Sequence, residues 1–298
     1  MDQIPQLIVS GITSGCIYAI VAIGFSIIYG GTQVINFAQG EFVMVGAMVA
    51  AVLLAKFSLA LAFPVAVAAG CLVGVLVALC VLIPLKRASV ITLIIMTVGA
   101  SILLRGLAQL FWGESAIPVP PFTGVRINGI VEDRTIHIYH AVVGVQSLWV
   151  VGITALLVLA MHLFFKYTLI GQAMRASSMN PTGARLVGIS PRKMVVMSFM
   201  LAAALGAIAG VTVSPVFYAK CNMGTALGLK GFCAAVLGGL GNFGGGIIAG
   251  LLLGIVEALA GVLPSPWSDY KDAVAFVILL IVLLVKPQGL LVRKKAEA

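Results

Sequence analysis

The polar residues of this chain are few enough to weigh one constellation at a time. "GLGNFG" at 239–244 has the spacing of a dinucleotide-binding loop, G-x-G-x-x-G. That loop works only after a strand, at the start of a helix, with an acidic residue about 20 positions on. Both flanks here are long apolar runs, so the nucleotide reading fails. No G-x-x-x-x-G-K-[ST] stretch occurs, so the chain has no loop of that type to cradle ATP phosphates. His137 and His140 form H-x-x-H. Catalytic zinc needs a third protein ligand, so they read as solvated loop residues. Cys16, Cys71, Cys80, Cys221 and Cys233 form no C-x-x-C pair and read as small hydrophobes. No Ser/His/Asp or Cys/His set can be assembled, so neither an enzyme nor a bound cofactor is expected.

What remains suits passage rather than reaction. "VINFAQGE" at 34–41 places Asn36, Gln39, Gly40 and Glu41 at a break in apolar sequence. A glycine-rich stretch at 238–246 holds Asn242 and Phe243 at a second break. The two echo one another, as N-F-x-x-G at 36–40 and at 242–246. Irregular backbone at membrane depth is tolerated only against protein or a water-filled cavity. Paired breaks in two halves of a transporter point to its substrate route; two ordinary turns between helices would read the same way. Glu257 falls inside an apolar run, either near the route or as a structural ion-pair partner. Arg105 either faces a cavity or snorkels to a span end.

The elements that must position these groups are membrane helices. Of 298 residues, 61% are hydrophobic and 9% charged, against about 25% charged in soluble domains. Mean hydropathy is +1.18. Spans are expected near 7–29, 41–55, 60–84, 89–111, 148–165, 194–216, 226–241, 244–263 and 273–291, about 8–9 transmembrane or re-entrant helices. The fold class is thus an all-α polytopic membrane protein with a single transmembrane domain over 1–298. The short alternating segments of a β-barrel are absent from the sequence. Glycines four apart at Gly11/Gly15, Gly70/Gly74, Gly206/Gly210 and Gly246/Gly250/Gly254 predict close helix packing. Asp2 stands where a cleaved leader would carry positive charge, so no signal peptide is expected.

The net charge is +9. The basic residues cluster at span ends, which points to topology and not to nucleic acid. Lys86/Arg87, the 166–193 segment and Arg293/Lys294/Lys295 all fall on one side, the cytoplasm, and 112–147 becomes an external loop. The side of the N-terminus stays open. Within 166–193, Asn180 and Pro181 form a cap and a first helical position, and Gly188 is placed to end that short helix. Ser190 and Pro191 repeat the signal and open the next span. Residues 181–187 are expected to form a short rigid helix shaped to fit a partner's groove; a basic loop touching anionic lipid is the plainer reading.

Several stretches together carry a more specific signal. "YAIVAIGFSIIYGGTQVINFAQGEFVMVGA" (18–47), "GQAMRASSMNPTGARLVGI" (171–189), "FCAAVLGGLGNFGGGIIAGLLLGIVEA" (232–258) and "YKDAVAFVILLIVLLVKPQGLL" (270–291) resemble the LivH-type permeases of bacterial branched-chain amino-acid ABC importers. The resemblance covers nearly the whole chain in order. It implies an inner-membrane importer permease that pairs with a paralogous LivM-type permease. Two ATP-binding subunits would dock beneath the pair and use ATP and Mg, and an extracytoplasmic binding protein would deliver the substrate. By position, 180–188 matches the cytoplasmic coupling helix, so Arg175, Asn180, Pro181, Ala184, Arg185, Leu186 and Gly188 are the expected coupling residues. Relatives often carry His where Gln39 stands, which argues against a proton-linked role there. The expected cargo is a branched-chain or other hydrophobic amino acid. Urea or a short amide is the alternative within the resemblance. An ion-coupled secondary transporter would need coupling groups, and Glu41, Glu257 and a few amides are a thin supply.

Overall fold

A computed structural model describes residues 4–84, 88–127, 130–138, 141–262, 271–286 and 289–290. Lys86/Arg87, His140 and Arg293/Lys294/Lys295 lie outside the described residues. The chain forms α1 (Ile4–Thr32), α2 (Gln39–Leu54), α3 (Leu59–Val77, continued by a π-helical turn at Ala78–Leu82) and α4 (Val90–Trp112). After four short strands come α5 (Val145–Tyr167), α6 (Leu169–Met179), α7 (Pro181–Leu186) and α8 (Pro191–Phe217). Then follow α9 (Met223–Gly238), α10 (Phe243–Ala260) and α11 (Lys271–Val285). Among the described residues, α1, α3, α4, α5, α8 and α10 are long and apolar enough to cross a membrane. The shorter α2, α9 and α11 are apolar too. This is an all-α polytopic membrane protein.

The expected 112–147 loop is not irregular throughout. Val125–Ile127 (β1) pairs antiparallel with Ile130–Glu132 (β2), and Thr135–Ile138 (β3) with Ala141–Gly144 (β4). Runs of Val and Ile favour the extended backbone outside the bundle.

Helices α1 and α8 form the centre. From Gly15 to Ile28 every residue of α1 is buried, and its apolar character is all round, as in a helix surrounded by protein. Helix α4 lies at the rim, with Ile91, Leu103, Leu110 and Phe111 all more than 60% exposed. The glycine spacing does the packing expected of it. Gly11 and Gly15 of α1 lie against Gly254 and Gly250 of α10, so the two run antiparallel with backbones nearly touching. Gly206 and Gly210 of α8 meet Phe42, Val43 and Ala47 of α2, while Gly70 and Gly74 of α3 meet Ala207 and Ala203. Helix α8 is therefore parallel to α2 and antiparallel to α3.

The chain enters the bundle twice without helix. Gln39 packs on Gly24 of α1, eight residues or about 12 Å before that helix ends. Segment 33–38 therefore turns back into the protein, with Val34, Asn36 and Ala38 buried. Helix α8 likewise overshoots: Phe217 is eleven residues past Gly206, about 16 Å. Segment 218–222 then returns to bring Gly224 against Gly40. On α8, Ser198 lies against Gly31 and Ala202 against Gln39, so α8 is antiparallel to α1 and the two segments come from opposite ends. Gln33 (φ 57°) and Tyr218 (φ 60°) are the non-glycine residues with positive φ among the described residues, and each marks one reversal. Such backbone is costly for a residue with a side chain and persists where the surroundings fix it.

Candidate functional site

The two re-entrant segments deliver two helix starts to one point. A Cβ on Gly40 would overlap the Gly224 carbonyl oxygen, and one on Gly224 would meet the Gly40 carbonyl and Glu41 Oε2. Only glycine lets these backbones touch. Glu41, in the first turn of α2, is 1% exposed. Its Oε1 accepts from Ser101 Oγ of α4 at 2.9 Å and from Thr225 Oγ1 of α9 at 3.4 Å. Arg105 Nη1 donates to the same Thr225 hydroxyl at 2.8 Å. Glu41 Oε2 has no hydrogen-bond partner in the protein. The carboxylate thus ties three helices together through one oxygen and leaves the other free.

The neighbouring amides anchor the segment. Asn36 Oδ1 accepts from the Ala38 N–H at 3.1 Å. Gln39 Nε2 donates to the Ala202 carbonyl of α8 at 3.1 Å. The Phe37 N–H donates to Thr97 Oγ1 at 3.2 Å, one turn before Ser101 on α4. Asn36 Nδ2 and Gln39 Oε1 are buried without partners, as is Glu41 Oε2. Buried polar atoms are seldom left so, and here three fall within six residues.

Of the residues marked in sequence, Asn36, Gln39, Gly40 and Glu41 come together. Asn242 and Phe243 sit elsewhere. Gly239 and Gly241, at φ 89° and 85°, make a tight turn between α9 and α10. Asn242 Oδ1 accepts from the Gly245 N–H at 3.2 Å as an N-cap, and Phe243 stacks on Phe165 of α5 at 5.0 Å. The structural counterpart of segment 33–38 is therefore 218–222, not the 238–246 echo. Glu257 lies in an ion-pair cluster: Lys230 Nζ of α9 donates to it at 2.6 Å and Tyr18 OH of α1 at 2.8 Å. The same lysine reaches Asp272 of α11 at 2.7 Å. Partial burial, with both Glu257 oxygens bonded, suits a clamp between helices. Arg105 is half-buried and bonded inward, which settles its direction away from the span end.

Sequence reasoning missed Ser101, Thr225 and Lys230. A signal existed for each: Thr97, Ser101 and Arg105 form a polar i, i+4, i+8 stripe on one apolar helix, and Lys230 is a lone charge in an apolar run. Segment 180–188 folds into the short capped helix expected of it. Asn180 Oδ1 caps α7 by accepting from the Gly183 N–H at 2.9 Å, and Gly188 ends it at φ 82°. Ser190 differs: it precedes Pro191 but makes no side-chain cap. Ala184 is buried, while Arg185, Leu186 and Val187 are exposed, the last two 86% and 74%. A cavity of about 790 Å³ opens between α7 and the first re-entrant segment, walled by Pro181, Arg185, Gly188, Thr32 and Val34. Arg175 of α6 borders a smaller one with Ser26, Ser198 and Phe243.

Comparison with known proteins adds the identity of the fold. A family profile described as branched-chain amino acid transport system / permease component matches residues 7–283. The chain is similar to the high-affinity branched-chain amino acid transport system permease protein LivH of Escherichia coli, 34% identical over 98% of this chain and 96% of that one. It is also similar to BraD of Pseudomonas aeruginosa, which bears the same description, at 33% over 98% and 97%. A solved structure, PsaBC from Streptococcus pneumoniae in complex with Fab, overlaps 96% of this chain and 91% of its own at 16% identity and a TM-score of 0.44, too distant to argue from. The match along nearly the whole chain places this protein in the family of branched-chain amino-acid transport permeases.

Proposed function

We propose that this chain is one membrane subunit of an ATP-driven importer in the bacterial inner membrane, moving a branched-chain or similar hydrophobic amino acid by alternating access. Its partners are a paralogous LivM-type permease, two ATP-binding subunits that use ATP and Mg, and an extracytoplasmic binding protein. The chain itself binds no nucleotide and catalyses no reaction. The observation that carries the coupling step is α7. It is capped at both ends, which makes it rigid. It turns Ala184 inward and leaves Leu186 and Val187 bare. Exposed apolar side chains on a short helix suit docking into a groove. Arg175, Asn180, Pro181, Arg185 and Gly188 position or flank that surface. Because α7 and segment 33–38 wall one cavity, a push on α7 reaches the first re-entrant segment with few intermediaries.

The test is Leu186→Pro, beside Leu186→Glu, in the assembled transporter. Both variants should insert in the membrane normally, lose the ATP-binding subunits on purification and lose leucine uptake. Normal uptake by either would overturn the assignment of α7. Uptake of urea instead of leucine by the unaltered complex would move the substrate to short amides.

A further inference from the structure

We propose that Glu41 holds the substrate's α-ammonium group as the amino acid crosses the bundle, and that the start of α9 with Arg105 receives its α-carboxylate. The proposal rests on the amino-acid permease reading and narrows its substrate to zwitterions. The first support is the carboxylate itself. Burying a charged or polar oxygen without a donor is costly. Ser101 and Thr225 both bond Oε1, which fixes the side chain and leaves Oε2 aimed at the first turn of α9. A group needed only to clamp helices would use both oxygens, as Glu257 does with Lys230 and Tyr18. The second support is the neighbourhood. The first N–H groups of a helix have no intrahelical acceptor and carry partial positive charge. Helices α2 and α9 both begin here, and Arg105 stands one hydroxyl away. A carboxylate beside a positive helix start and a guanidinium matches a group that bears both charges. An anion alone leaves Glu41 opposed, and neutral urea leaves both charges unmatched.

The site is shut in this conformation, since Gly40 and Gly224 touch. Parting this glycine seam would expose backbone on both walls and one free carboxylate oxygen between them. No side chain at 40, 224 or 228 would then stand in the way. Alternating access at this seam needs only a small separation of two helix starts, each hinged on its own re-entrant segment.

The experiment uses the assembled permease and ATP-binding subunits in detergent, without the binding protein, so that its selectivity does not intrude. Thermal stabilisation is titrated with L-leucine, leucine methyl ester, 4-methylpentanoate and urea. The unaltered complex should respond to leucine, to the ester more weakly, and to 4-methylpentanoate and urea hardly at all. Glu41→Gln should raise the half-saturating leucine concentration by about tenfold or more, the scale of losing one charge-assisted contact. Glu41→Asp should recover part of it. An equal response to 4-methylpentanoate and leucine would overturn the proposal even if Glu41→Gln misfolds, because that comparison needs no variant. An unchanged leucine response in folded Glu41→Gln would overturn it too. Failure of the broader reading looks different: the complete transporter with its binding protein would move no branched-chain amino acid at all.

Discussion

Segment 33–38 and the helix it feeds bring Asn36, Gln39 and Glu41 into the bundle, all buried. Segment 218–222 and its helix bring Ala219, Cys221 and Thr225. The backbone device is the same in both: a long helix overshoots, a residue at positive φ reverses the chain, and a sixteen-residue helix starts within the protein. The side chains differ in kind. The first carries charge and amides, three of whose polar atoms lack partners. The second is anchored by backbone, with Ala219 bridged to Ile117 in both directions, and by the Cys221 thiol donating to the Gly113 carbonyl at 3.0 Å. One half brings the unpaired polar groups, and the other brings a positive helix start and a firm tether to the loop after α4.

The comparison can be broken at its strongest point first. If the two helix starts share one seam, Gly40→Ala and Gly224→Ala should each destabilise the protein by about 2–3 kcal/mol, the usual cost of overpacking. Unfolding in detergent would show it, and a cost confined to one of the pair would mean the seam is not shared. Next, Ser101→Ala and Thr225→Val each remove one hydrogen bond from Glu41. About 1–2 kcal/mol is expected from each. Their double variant should be less than additive, because both act on the same oxygen. The smallest effects lie at the reversals. Tyr218 has φ 60° and ψ 151°, a region nearly reserved for glycine. Tyr218→Gly should stabilise by about 1 kcal/mol, and Gln33→Gly by roughly half that. A loss at Tyr218 would mean that its side chain, not the backbone, decides that position.

Much of the fold was legible because membrane helices announce themselves by composition. Length and hydropathy place the span ends within three residues, since lipid demands satisfied backbone over a fixed thickness. The exception is 273–291, where α11 already ends at Val285. The cap at Asn180 and the stop at Gly188 were legible for a local reason: each concerns only its own turn. The strands at 125–144 were not, because short runs of Val and Ile outside the bundle carry weak periodicity. Of the two readings the N-F-x-x-G echo left open, the second copy takes the ordinary turn. Asn242 and Asn36 share a sequence context, yet one caps an ordinary turn and the other sits in a buried re-entrant segment.

The sequence by itself determined a polytopic membrane protein, a capped helix between spans and a polar break at 34–41. Each follows from properties of contiguous residues: hydropathy, turn chemistry and capping. Only the tertiary structure decided that Glu41 belongs with Ser101, Arg105 and Thr225, residues 60 to 184 positions away. It also decided that Glu257 belongs with Lys230 and Tyr18. A buried carboxylate's role depends on which donors reach it. That is set by how glycine seams bring distant helices into contact, and no local pattern in the chain records it.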